Sequence, residues 1–325
     1  MRLGLRGKEL LMVKKTEGQM DPPHYKALAA TRELGAALRR HFVTFGITCM
    51  NSVLGGLPSK GDRHFTLCMR LRDSAMYRVS CIEYHLCLLF VTDSRFSKKV
   101  RAARFGENDP GHVNLMLSAQ EQELFLLDDL VFHLISLLDY LGNLVGFAFY
   151  GEQRTQLKWK GALRYSSNRE AEGAETGLVL LSGSETGKLV QHHDDQLVQH
   201  LKDYRARIFH YEKDAASVRL TTSLKSDEEN RLVVKAPRDL AKWLLRVHNG
   251  AAPRNKALPE LALWLTEETF KAVKEIIEVL TADVSRNAPS IRKGLKRRQK
   301  GQRPATNATA QHMARGPSRT PRDRT

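Results

Sequence analysis

The chain has 325 residues, 42% of them hydrophobic, enough to bury a sizeable core in one large domain or two small ones. Its net charge of +16 is uneven: from Arg286 to the end twelve Lys/Arg stand against one acid, Asp323, so that stretch carries +11 and the body before it +5. The four cysteines, Cys49, Cys68, Cys81 and Cys87, form no C-x-x-C pair, which excludes a zinc knuckle or a redox pair and fits small core residues of a reduced, cytoplasmic protein.

Residues 1–20 hold only a short apolar run, Leu10 to Val13, too short for a signal-peptide core. They read as a flexible leader, with Met20 an alternative start. From Pro23 to about Gly46, Leu28, Leu34, Leu38 and Phe42 recur at helical spacing, and Pro22 and Pro23 suit a helix start. Asn51 to Asp62 is rich in Gly and Pro and reads as a loop. Phe65 to Phe96 reads as a second helix with a strand-like entry over Phe65–Leu71, and Glu107 to His112 reads as a turn.

The next helix, Glu123 to Tyr150, is apolar nearly all round except for Asp129, His133, Ser136, Asp139 and Asn143. Their spacings of 4, 3, 3 and 4 put them on one face. Three readings of this stripe are open: a narrow solvent face, a buried polar row facing a site or partner helix, or part of a membrane span. A span needs about 20 apolar residues, and the run has that length. Charges inside it cost several kcal/mol in lipid, so a core helix is the better reading.

Gly151 to Asp195 reads as the least structured internal part. Within it Ser182 to Lys188 (SGSETGK) only superficially resembles a phosphate loop, since three residues separate its glycines and Leu189 stands where Ser or Thr is required. His192-His193-Asp194-Asp195, with His200 beyond, is a weak metal set because adjacent residues rarely converge on one ion. A helix from Gln196 to Lys213 follows, its seam formed by Leu197, Leu201, Tyr204, Ile208 and Tyr211. It carries Arg205 and His210 with no metal ligand beside them. Histidine moves a proton near neutral pH and arginine holds the charge that grows on a phosphate, the two tasks of metal-free phosphodiester cleavage.

Ser217–Leu224 and Arg231–Lys235 alternate as a small β-hairpin. Pro237 opens a helix through His248, Ala251 to Leu258 is a loop, and Thr266 reads as the N-cap of a last helix with a seam of Phe270, Val273, Ile276, Ile277 and Leu280. From Arg286 onward the composition predicts a disordered basic tail, which either binds polyanions through counterion release or is simply solvated.

Phe132 to Gly151 (FHLISLLDYLGNLVGFAFYG), Leu157 to Gly161 (LKWKG) and Tyr204 to Asp214 (YRARIFHYEKD) resemble a bacterial branch of the HEPN superfamily (higher eukaryotes and prokaryotes nucleotide-binding), over roughly residues 21–284. The resemblance implies an all-α antiparallel helical bundle, here with the hairpin inserted. It also implies an R-x(4–6)-H signature, matched by Arg205 and His210, beside a polar residue on an earlier helix, best matched by Asp139. Many members are metal-independent endoribonucleases acting as dimers; others have lost catalysis and bind RNA or a protein partner. Ala206 stands where catalytic members usually carry a polar residue. Positions five apart on an ideal helix point about 140° apart, so a facing pair from a second protomer would complete the site. Alternatively, Arg205 pairs with Asp203 or Glu212 and His210 is an interface histidine.

The expectation is therefore a flexible leader (1–20), a HEPN-like helical domain (21–285) and a disordered basic tail (286–325). The domain is a homodimeric endoribonuclease or an inactive RNA- or protein-binding module, with no cofactor, no metal and no membrane. Arg205, His210 and Asp139 are the catalytic candidates. Arg207, Lys202, Lys296, Arg297 and Arg298 are the RNA-binding candidates.

Overall fold

The computed structural model describes residues 20–55, 61–102, 110–151, 157–167, 181–210, 221–225, 231–235 and 257–301. The leader before Met20, the helix expected over Pro237–His248 and the tail beyond Gly301 lie outside the described residues.

The protein is predominantly α-helical, as its periodicities predict. Seven α-helices are described: α1 (Pro22–Thr48), α2 (Gly61–Ala102), α3 (Pro110–Tyr150), α4 (Lys158–Ser167), α5 (Glu185–His193), α6 (Gln199–His210) and α7 (Leu258–Gly301). Wider π-helical turns extend α1 over Cys49–Leu54 and join α5 to α6 over Asp194–Val198. Strands β1 (Thr221–Lys225) and β2 (Arg231–Lys235) pair antiparallel, with Ser223 opposite Val233.

α3 is the centre. Leu127, Leu130, Leu134, Leu137, Leu138, Leu141 and Leu144 are all fully buried, which requires neighbours on several sides. Those neighbours are α2, α4, α6 and α7. No helix among the described residues is long and apolar enough to cross a membrane. The near-continuous apolar run of α3 is explained by its central place in a core.

Cross-contacts fix the helix directions. Arg39 of α1 pairs with Glu83 of α2, and Asp21 at the start of α1 with Arg101 at the end of α2, so the two helices run antiparallel. Arg78 meets His133 while Arg95 meets Gln122, which sets α2 antiparallel to α3. Thr186 and His193 of α5 meet Asp283 and Glu275 of α7, again antiparallel.

Several local expectations are corrected. Phe65–Leu71 is helical, because Leu67, Cys68 and Leu71 continue the buried face of α2. Residues 51–54 belong to the π-helical turn, and the segment expected as a turn at 107–112 already starts α3 at Pro110. The stretch 151–195 holds two helices, anchored by the fully buried Trp159. Thr266 caps nothing: it is buried inside α7 and donates its hydroxyl hydrogen to the Ala262 carbonyl at 2.8 Å. Finally, the boundary expected at residue 285 falls inside α7, which runs on to Gly301 through Pro289. Ala288 and Ile291 are buried, extending the seam of Ile277, Leu280 and Val284 beyond the point where the composition turns basic.

Candidate functional site

The polar stripe of α3 faces other elements of the fold, and its two halves have different jobs. In the C-terminal half, Asn143 Oδ1 accepts from the Lys158 backbone N–H at 2.8 Å and Asp139 Oδ1 from that of Trp159 at 3.0 Å. These are the first N–H groups of α4, which no intrahelical carbonyl can satisfy. The stripe therefore caps a neighbouring helix, and the Asp139 charge complements that helix's positive end. Gly142 sits between them because the α4 backbone lies directly on it: a Cβ there would stand 2.4 Å from the Lys158 carbonyl carbon. Lys158 takes a left-handed φ of 52° at this close approach.

Asp139 also accepts from Lys202 Nζ of α6 at 3.3 Å. Of the candidates from sequence, these two are brought together. Arg205 lies elsewhere along α3: its guanidinium carbon stands 4.8 Å from the centre of the Phe132 ring. Phe132 is seven residues, about 10 Å of helix, from Asp139. The side chains of Arg207, His210, Lys296, Arg297 and Arg298 lie outside the described residues, although their backbones belong to α6 and α7.

The N-terminal half of the stripe meets a second set of groups on α2. Arg78 donates from Nη1 to His133 Nδ1 at 3.0 Å, and the rings of His85 and His133 are 4.7 Å apart. Arg78 Cζ stands 5.8 Å from the Phe132 ring, so two guanidiniums, Arg78 and Arg205, share one phenyl ring. Among the described residues Arg78 has no carboxylate partner, and its Nε is buried without a hydrogen-bond acceptor. Asp129, the acid of the stripe in this half, stands 4.0 Å from His85 Nδ1 and is largely exposed.

The Arg78 contact fixes the chemistry of His133. A guanidinium can only donate, so Nδ1 must accept and the neutral ring carries its proton on Nε2. Burial, then His85, then Arg78 push the His133 pKa down to about 4, against a smaller upward pull from Asp129. Burial likewise lowers His85, opposed by Asp129. Both imidazoles are therefore neutral at physiological pH, while the guanidiniums keep their charge. The junction of α2, α3 and α6 thus brings the Arg78 and Arg205 guanidiniums and the neutral His133 to the Phe132 ring.

Sequence reasoning did not find Arg78 or the pairing of the two histidines. The available signal was the seven-residue spacing of Arg78 and His85, which puts both on one face of α2, toward His133 of the stripe. The His192–Asp195 cluster is used internally: His193 Nε2 lies 2.9 Å from Glu275, and Asp194 accepts from the Trp159 indole N–H at 2.6 Å. Among the described residues no group of His, Cys, Asp and Glu is arranged to hold a metal ion.

Compared with protein-family models, with curated proteins and with solved structures, the chain matches none.

Proposed function

We propose that this chain is a HEPN-like, cytoplasmic RNA-cleaving protein that works as a homodimer, with Arg205 and His210 of each α6 as its reacting pair. In this reaction the ribose 2′-oxygen attacks phosphorus and loses its proton to the His210 imidazole. The bond to the 5′-oxygen breaks, that oxygen takes up a proton, and a 2′,3′-cyclic phosphate and a 5′-hydroxyl remain. Arg205 offsets the charge that grows on the non-bridging oxygens. The observation that carries the reading is the place of Arg205, 4.8 Å from the centre of the Phe132 ring, which Arg78 also approaches and which adjoins the neutral His133. A guanidinium at this place can pair with a phosphate oxygen.

Binding without cleavage is the second reading, favoured by the commitment of Asp139 to the Trp159 N–H and Lys202, which removes it from the Arg205 end of α3. One experiment separates them. Purified protein is incubated with labelled RNA and with DNA of the same sequence, in EDTA, as wild type, Arg205→Ala and His210→Ala. RNA-only cleavage lost in both variants supports the nuclease. RNA binding weakened by Arg205→Ala, with no cleavage by any form, supports the binding module. A wild type that neither binds nor cuts RNA overturns both.

A further inference from the structure

The α2 face beside this cluster carries two large aromatic side chains that the core does not use. Tyr77 and Tyr84 are 64% and 52% exposed on a helix whose other face is packed throughout. Seven residues apart, they project in nearly the same direction, about 10 Å apart along the axis. Each is followed by a polar group of the cluster. Arg78 Cζ lies 5.8 Å from the Tyr77 ring, and the His85 ring meets the Tyr84 ring edge-on at 5.6 Å.

We infer that this strip is a binding site for single-stranded RNA, with bases stacking on Tyr77 and Tyr84 and one of the intervening backbone phosphates held by Arg78. The inference rests on the RNA reading above and names the part of the molecule that selects the strand. Stacking platforms alternating with cations bind unpaired nucleic acid, because every exposed base offers a π-face. A duplex hides those faces inside its stack. The spacing of about 10 Å corresponds to three base steps of about 3.4 Å, so three phosphates separate bases on the two rings and the one nearest Tyr77 falls beside Arg78. Charge supports the same occupant: the Arg78 guanidinium adjoins the Tyr77 ring and has no carboxylate partner among the described residues. Asp129, on the same face, opposes binding and sets a limit on affinity.

The test is fluorescence anisotropy with the full chain and a short labelled 2′-O-methyl oligouridine, which lacks the attacking hydroxyl and stays intact, beside a labelled RNA duplex. Wild type is compared with Tyr77→Ala/Tyr84→Ala and Tyr77→Phe/Tyr84→Phe, and circular dichroism checks that each is folded. The wild type is expected to prefer the single strand. The double alanine variant should bind it at least tenfold more weakly, and the double phenylalanine variant should bind as wild type, because stacking needs the ring and not the hydroxyl. A folded alanine variant with unchanged affinity, or equal affinity for the duplex, overturns the strip while leaving RNA binding elsewhere on the protein intact. A wild type that binds neither probe overturns the RNA reading beneath it.

Discussion

Tyr204 of α6 donates its hydroxyl hydrogen bond to Asp128 of α3 at 2.9 Å, one residue before Arg205 in its own helix and one residue before Asp129 in the other. This contact docks the helix that carries Arg205. It is also strained electrostatically. Burial pushes the Asp128 pKa from its ordinary 3.8 up to about 6, opposed by the Tyr204 hydrogen bond and reinforced by Asp129.

The sign of the consequence is fixed. A carboxyl whose folded pKa is raised binds a proton more tightly in the native state, so stability falls as pH rises from about 3.8 to about 6 and the penalty is complete above that. Asp128→Asn keeps an oxygen to accept from Tyr204 and carries no charge. It should raise stability at pH 7 by on the order of 2 kcal/mol and flatten the pH profile across this window. Urea unfolding at several pH values measures both. A stability unchanged at neutral pH would mean that the carboxylate is better solvated than its surroundings imply.

His133 acts in the opposite direction. Its folded pKa of about 4 lies below the ordinary 6.5, so the native state resists protonation, and stability is lost as pH falls from 6.5 toward 4. Arg78→Gln removes one of the charges that depress it. In that variant the His133 resonance, followed by NMR, should titrate at higher pH than in wild type, and at higher pH still if His85 is also replaced, because His85 depresses it as well. An identical titration in wild type and Arg78→Gln would contradict the 3.0 Å contact.

The Gly142 contact gives a steric prediction. A methyl group there meets the Lys158 carbonyl carbon at 2.4 Å and the Trp159 nitrogen at 2.7 Å, both backbone atoms that cannot rotate away. Gly142→Ala should therefore cost about 1–3 kcal/mol through displacement of α4, despite alanine's better helix propensity. Asn143→Ala, which removes only a cap acceptor, should cost about 1 kcal/mol. Denaturant titration of the two variants ranks them, and a stabilising Gly142→Ala would show that α4 can move aside freely.

Much of this was legible from spacing alone. The stripe from Asp129 to Asn143 was recognisable as one face, and the central place of α3 follows from its apolar surround. What the stripe touches was not legible, because its partners Lys158 and Trp159 belong to a segment whose Gly- and Ser-rich surroundings read as loop. Arg78 and His85 were hidden for a different reason: on an amphipathic helix a charged residue ordinarily marks solvent, and only the packing of α3 shows that these two meet His133. Thr266 misled because Thr-Glu-Glu-Thr has the composition of a helix start. The buried Leu258, Leu261, Ala262 and Leu265 upstream carry the same seam and outweigh it. At the other end of α7 the charge change at Arg286 hid a seam that Ala288 and Ile291 continue.

The segment from Ser182 to Lys188 shows why a phosphate-loop likeness fails here, and it yields a last prediction. Ser184 caps α5 by accepting from the Gly187 N–H at 3.0 Å. The Thr186 N–H and hydroxyl both donate to Asp283 Oδ2 of α7, at 3.0 and 2.8 Å. Gly187 is needed because a Cβ would stand 2.0 Å from the Leu181 carbonyl oxygen. A helix N-terminus attracts an anion, and in this fold the anion is the protein's own buried carboxylate. Lys188, which would reach a phosphate in a true loop, pairs with Glu185 at 2.7 Å. Asp283→Ala should therefore weaken the α5–α7 contact by about 3 kcal/mol, because hydrogen bonds to a charged group are the strong ones and Thr186 is left buried without an acceptor. Asp283→Asn should recover part of that loss, since an amide oxygen still accepts from Thr186. ATP added to either variant should leave the thermal midpoint unchanged. A midpoint raised by ATP in Asp283→Ala would mean that removing the carboxylate opens a working phosphate site.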